Sequence, residues 1–139
     1  MIPERFAPIL AELAPLAERF ARIHAGVSAL LTEHAPQEVA IERVFVNRNV
    51  ESALKLGQAR GAAIAALGGE LPLAEYAPRA VKLATVGTGA ADKLQVAHMV
   101  RALLKPAGKL SADAADALAI ALCHAQHRRL AALANLGAS

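Results

Sequence analysis

The sequence predicts a helix-rich α/β fold, and three observations support this prediction. Strand-like and helix-like segments alternate along the chain, which is typical of α/β proteins. Alanine is abundant, and it has the highest helix propensity of all residues. The chain has 139 residues, of which 55 % are hydrophobic, and a mean hydropathy of +0.36. This length and composition predict a single domain over residues 1–139.

The first half of the chain predicts a long helix followed by a strand. Residues 3–33 carry apolar side chains at helical spacing, with Pro3 suited to the first turn. Pro8 and Pro15 do not suit a helix interior, so we expect a break near one of them. Residues 39–45 are rich in β-branched side chains, which predicts a strand.

The middle of the chain predicts a helix between two turns and then a second strand. Residues 47–49 form a polar turn, and residues 51–67 follow as a helix that Gly68 and Gly69 close. Residues 71–76 predict a short strand. Its pairing should begin after Pro72, which has no N–H to donate to a sheet.

The last part of the chain predicts three helices, over residues 78–83, 91–104 and 112–135, with Ser111 as the N-cap of the last. The two predicted strands alone make a poor sheet. We therefore expect that the sheet either borrows strands or lacks a segment upstream.

Composition and charge limit the functional classes. The formal net charge is +3 and the pI is about 9.4, which permits nucleic-acid binding without requiring it. The single cysteine, Cys123, rules out an intramolecular disulfide, and its apolar helical context predicts a buried, inert thiol. No apolar run approaches the roughly 20 residues of a membrane span, and the N-terminus does not resemble a secretory signal. We expect a cytoplasmic protein.

Three acidic residues are candidates for a metal site. Asp113 and Asp116 lie three residues apart on one predicted helix, so their side chains face the same way. Their position near the helix start also fits simple stabilisation by the helix dipole. The position of Glu42 supports a functional interpretation of these acids. Burying a carboxylate inside an apolar strand costs free energy unless the carboxylate is paired or binds a metal. Three carboxylates suit Mg²⁺ or Mn²⁺, and such ions activate water for phosphodiester cleavage.

Four separated segments of the chain carry a specific pattern. They are AIERVF at 40–45, NVESALKLGQARG at 49–61, QVAHMV at 95–100 and ADAADALAIA at 112–121. These segments and their order resemble those of one known family, the RuvC Holliday-junction resolvases, and the resemblance covers about residues 17–124.

This resemblance implies a fold and an activity. The fold would be RNase H-like, and the chain would be a crossover junction endodeoxyribonuclease of DNA recombination and repair. It would nick Holliday junctions symmetrically as a homodimer, with Mg²⁺ (or Mn²⁺), two ions per active site. Its partners would be four-way junction DNA and the RuvA–RuvB branch-migration complex.

The resemblance also implies roles for individual residues. Glu42 and Asp116 match the family's metal ligands, and Asp113 matches a companion acid where some members have histidine. Lys82 and Lys93 match basic residues beside the scissile phosphate, where a lysine would stabilise developing charge.

Phe45 matches an aromatic residue that stacks against unpaired bases near the crossover. Base–aromatic stacking is worth roughly 1–3 kcal/mol. The alternative interpretation, from the strand pattern alone, is a core residue of the strand.

The sequence departs from the family at its start. RuvC proteins open with a strand of the form Gly-Ile-Asp-Pro-Gly, whose aspartate is a central metal ligand, and residues 1–16 match nothing in that region. We therefore expect an RNase H-like fold that lacks the first three strands. Two alternatives stay open beside the nuclease, namely a junction-binding remnant that does not cut DNA and an unstable fragment without independent function.

Overall fold

The computed structural model describes residues 4–46 and 48–138, and the predictions for Pro3 and Asn47 lie outside them. After a 3₁₀ turn at Glu4–Phe6 the elements are α1 (Ala7–His34), β1 (Val39–Glu42), α2 (Val50–Ala65), β2 (Leu73–Tyr76), α3 (Pro78–Val86), α4 (Lys93–Leu104) and α5 (Ala112–Gly137). The elements group into two compact units. The first contains α1 and α2, and the second contains both strands with α3, α4 and α5.

The long helix α1 of the first unit is continuous, so the predicted break near Pro8 or Pro15 is wrong. Pro8 is the second residue of α1, where a backbone N–H would have no partner within the helix anyway. Pro15 lies inside α1 and costs it one backbone hydrogen bond, which the rest of this 28-residue helix tolerates. The helix ends at His34, and Ala35 follows with a φ of 42°.

The helix α2 packs against α1 and is fixed at both ends by local contacts. Its N-cap Asn49 accepts a hydrogen bond of 3.1 Å from the backbone N–H of Ser52. Gly68 and Gly69 have φ values of 64° and 73°, which confirms that they close this segment. None of the side chains of α2 is buried.

The second unit contains a parallel sheet in which β1 pairs with β2, from Val39↔Leu73 to Glu42↔Tyr76. The prediction that the first strand reaches residue 45 is wrong. After the bond of 2.9 Å from the Arg43 N–H to the Tyr76 carbonyl, β2 has ended and offers β1 no further partner. The start of β2 at Leu73 confirms that pairing begins after the proline.

The helices of the second unit begin and end at recognisable caps. α3 extends three residues beyond its predicted end and stops at Gly87, whose φ of 91° suits glycine. Asp92 and Gln95 form a reciprocal capping box at the start of α4. Ser111 accepts a hydrogen bond of 3.2 Å from the N–H of Ala114, which confirms the predicted N-cap of α5.

The buried core of the second unit lies among α3, α4 and α5. Val100 and Cys123 are its largest fully buried side chains. The prediction of a buried cysteine is therefore confirmed, and burial raises the pKa of the Cys123 thiol. Within the described ranges, no helix combines the length and the apolar character that a membrane crossing requires.

Candidate active site

A pocket of the second unit opens where β1 ends. Glu42 is the last residue of β1, and the carboxyl ends of parallel strands are where open α/β sheets bind ligands. The pocket is lined by Glu42, Pro78, Lys82, Lys93, Val96, Asp116, Ala119 and Ile120. Four of the five side chains implied as catalytic by the resemblance therefore line one pocket.

Asp116 and Lys93 form an ion pair at this pocket. Asp116 lies in α5, Lys93 is the first residue of α4, and the Nζ–Oδ2 distance is 3.7 Å. The Lys93 side chain is 87 % exposed. Such an exposed pair contributes only about 0–1 kcal/mol to stability, so it does little to hold the fold together. It does place a positive charge beside a carboxylate and leaves that charge accessible to an anionic ligand.

The electrostatics of Glu42 reflect three charged neighbours. Partial burial raises the pKa of its carboxyl group, and the negative charge of Asp116 raises it further. The positive charges of Lys93 and Lys82 lower the pKa but do not cancel the increase. The two carboxylates therefore repel each other, and a cation between them would relieve that repulsion.

The donor chemistry of the pocket fits a hard cation. Mg²⁺ is commonly held by one or two carboxylates together with water and substrate phosphates, and Glu42 and Asp116 supply two carboxylates. Across residues 4–46 and 48–138, no group of three or more His, Cys, Asp or Glu side chains could hold a metal ion. The pocket therefore offers a divalent cation two protein ligands, Glu42 and Asp116.

The structure does not bring Asp113 to the pocket lining. This residue is exposed in the first turn of α5, one turn before Asp116. Its position fits the helix-dipole interpretation of the acidic pair, because a negative charge is favoured in the first turn.

Phe45 lies three residues beyond the end of β1 and is 58 % exposed. The interpretation of Phe45 as a core strand residue is therefore wrong, since β1 is shorter than the pattern suggested. An exposed aromatic ring is free to stack on a flat ligand, but Phe45 belongs to the first unit, whereas the pocket belongs to the second.

A polar contact that the sequence pattern does not predict lies beside the pocket. The Tyr76 hydroxyl and His124 Nδ1 lie 2.7 Å apart, and the ring of His127 lies 4.9 Å from that of Tyr76. Both histidines lie on α5, where His124 is half-buried and His127 is exposed. The sequence could have pointed to Tyr76 only through its place at the end of the predicted second strand. That Tyr76 is the register partner of Glu42 is known only from the paired strands of the structure.

Comparison with known proteins identifies the family. The sequence model of the family "Crossover junction endodeoxyribonuclease RuvC" matches residues 7–124. A protein of that name from Halorhodospira halophila is 60 % identical over 116 residues, covering 83 % of this chain and 70 % of the relative. The chain belongs to the RuvC family. The RuvC of Photobacterium profundum is 56 % identical over 123 residues, covering 87 % of this chain and 71 % of the relative.

Solved RuvC structures share the fold. A Thermus thermophilus RuvC structure matches 82 % of this chain and 70 % of its own length, with a TM-score of 0.71 and 44 % identity. The T. thermophilus RuvC in complex with Holliday junction substrate matches with a TM-score of 0.77 and 42 % identity, over 84 % of this chain and 72 % of that one. The RNase H-like class expected from the sequence is therefore confirmed.

Proposed function

We propose that this RuvC-family chain is a structure-specific endonuclease that binds four-way DNA junctions and nicks them symmetrically during recombination and repair. The observation that carries the proposal is the pocket that gathers Glu42 and Asp116 with Lys82 and Lys93. The curated relatives are named crossover junction endodeoxyribonucleases, and one solved relative holds a Holliday junction substrate.

The RuvC family is a family of metal-dependent nucleases. We propose that Mg²⁺ (or Mn²⁺) binds between Glu42 and Asp116, with Asp113 as a companion acid outside the pocket lining. An ion held by Glu42 and Asp116 would supply Lewis-acid activation of the phosphodiester and of an attacking water. Hydrolysis would leave 5′-phosphate and 3′-hydroxyl ends. A two-carboxylate site would leave coordination positions for water and DNA phosphate, so bound DNA should strengthen the metal binding that Glu42 and Asp116 already provide.

The two lysines act on the phosphate. Lys82 and Lys93 line the pocket and act electrostatically on Glu42, so both lie close to where the metal ligands converge. A fixed positive charge there stabilises the negative charge that develops as the phosphodiester bond breaks. Lys93 also partners Asp116, so its ammonium group is held beside a metal ligand before DNA arrives.

The partners follow from the family and from the geometry of the reaction. Nicking two strands symmetrically requires two copies of the site, so we propose that the chain acts as a homodimer. We propose that Phe45 stacks on an unpaired base near the crossover, because its ring is exposed. The proposed assembly partner is the RuvA–RuvB complex, and the proposed location is the cytoplasm.

A nicking assay tests the function. A labelled, immobile four-way junction with Mg²⁺ is incubated with the chain, with Glu42→Gln, and with Glu51→Gln as a matched control. Glu51 is an exposed acid of α2 that pairs with Lys55 at 3.2 Å, outside the pocket. We expect paired nicks from the chain and the control, and none from Glu42→Gln. Nicks that survive Glu42→Gln would contradict the assigned site.

A second candidate function is junction binding without cleavage. It is favoured by one observation, which is that two acidic side chains of the described residues line the pocket rather than three. Salt-sensitive binding to the junction without Mg²⁺-dependent nicks would establish it, because phosphate contacts make affinity fall as salt rises.

A further inference from the structure

One hydrogen bond joins the end of β2 to the middle of α5. The Tyr76 hydroxyl lies 2.7 Å from His124 Nδ1, at the short end of the range for such bonds. Both residues are half-buried, and their ring centroids are 5.8 Å apart. The His127 ring contacts the same tyrosine ring from the next turn of α5.

This bond lies between the two elements that carry the pocket carboxylates. Tyr76 is the register partner of Glu42 at the end of the sheet. His124 lies on the same helix as Asp116, roughly two turns further along. The bond therefore ties the helix that carries one carboxylate to the strand pair that carries the other.

The bond adds a polar restraint to the core packing of α5, in which Ala115 and Ala119 are buried on either side of Asp116. The negative charge of Asp116 acts against that of Glu42, so moving the two carboxylates apart lowers their electrostatic energy when no cation lies between them. The exposed Lys93 ion pair opposes this only weakly. The half-buried bond of Tyr76 with His124 is better shielded from water, and it also opposes the separation.

We propose that Tyr76 and His124 are positioning residues that hold Asp116 at the distance from Glu42 at which both carboxylates bind one divalent cation. The proposal rests on the proposed function, since it assigns the pair a role toward the metal site. Groups hydrogen-bonded directly to metal ligands change metal affinity by about 10–100-fold when they are altered, so a restraint that acts through the strand and the helix should fall near the lower end of that range.

The test measures Mn²⁺ binding to the full chain, from the amount of free Mn²⁺ seen by electron paramagnetic resonance. We expect Tyr76→Phe, which keeps the ring and removes the hydroxyl, to weaken Mn²⁺ binding at least about tenfold. His124→Asn should restore most of the affinity that His124→Ala loses, because an asparagine amide can reach the place of Nδ1. His127→Asn is the matched control and should bind Mn²⁺ normally, since it leaves the bond with His124 in place.

A purely structural role gives a different result. In nicking assays, we expect the half-saturating Mn²⁺ concentration of Tyr76→Phe to rise while the KM for the junction stays unchanged. If Tyr76→Phe lowers the metal-free Tm but leaves Mn²⁺ affinity and half-saturation as they were, the positioning role is refuted and the nuclease function stands. If the unaltered chain binds no Mn²⁺ at millimolar concentration, the proposed metal site fails and the positioning role fails with it.

Discussion

The two compact units differ in what they bury. In the described part of the chain, the unit of α1 and α2 has a single buried residue, Leu67. The unit of the sheet and the last three helices buries a cluster of small and β-branched side chains around Val100 and Cys123. The pocket with both carboxylates belongs to this second unit. Catalytic geometry needs side chains held by packing, so the unit with the packed core is the one suited to chemistry.

The described residues of both units include exposed large apolar side chains, but the first unit has no packed core like that of the second. Val50 and Leu54 of α2 are 56 % and 62 % exposed, and no residue of that helix is buried. This difference indicates that substitutions in the two units should have different consequences.

Replacing a lysine should strongly lower the nicking rate when the lysine lies in the second unit, and hardly change it when the lysine lies in the first. Lys93→Met takes a positive charge from the pocket, and we expect nicking to fall about a hundredfold or more, as when a group that stabilises transition-state charge is lost. Lys55→Met removes an exposed lysine of α2 and should leave the nicking rate within about twofold. Single-turnover nicking of an immobile junction measures both rates, and equal losses would contradict the assignment of the pocket.

Core truncation should destabilise the second unit more than the first. Val100 is 0 % exposed, so Val100→Ala leaves a cavity and should lower the free energy of unfolding by about 2 kcal/mol. Leu54→Ala removes a mostly exposed side chain and should change it by less than about 0.5 kcal/mol. Urea denaturation followed by circular dichroism measures both values. A large loss for Leu54→Ala would contradict the exposed position of this side chain.

Glycine substitutions should have opposite signs in the two units. A Cβ added at Gly57 in α2 meets nothing within 4 Å, so Gly57→Ala should stabilise the helix by about 0.5–1 kcal/mol. A Cβ added at Gly89 would lie 2.5 Å from Cγ of Arg79, so that side chain must move and Gly89→Ala should destabilise the fold. Thermal unfolding resolves the two signs, and stabilisation by Gly89→Ala would contradict the contact.

The pH dependence of stability should report the carboxylate of Glu42. Its pKa is raised in the folded chain, so the folded state binds more protons than the unfolded state between the ordinary glutamate pKa and the raised one. Stability from this group therefore falls as pH rises through that window. Without metal, Glu42→Gln should be more stable than the unaltered chain at neutral pH, and the difference should vanish at acid pH. Denaturation of both chains across pH measures this difference.

Local signals predicted the helices and several of their ends. Ser111 as the N-cap of α5 and the closure at Gly68 and Gly69 follow from short-range backbone chemistry, and the structure has all of them. The failures also have local causes. Proline rules predicted a break in α1, but a long helix tolerates one missing hydrogen bond at Pro15. The β-branched pattern continued past Glu42, although the partner strand did not.

The residue types of the site and the family are readable from the sequence alone, because ordered motifs that include Glu42 and Asp116 resemble those of RuvC proteins. Which of the acids meet depends on how the elements pack. Asp113 and Asp116 share a helix face in the sequence pattern, yet only Asp116 reaches the pocket, since the packing of α5 against the sheet selects one turn. The bond of Tyr76 with His124 depends on strand register and helix docking together. These contacts join residues that are far apart in the sequence, so local sequence patterns do not predict them.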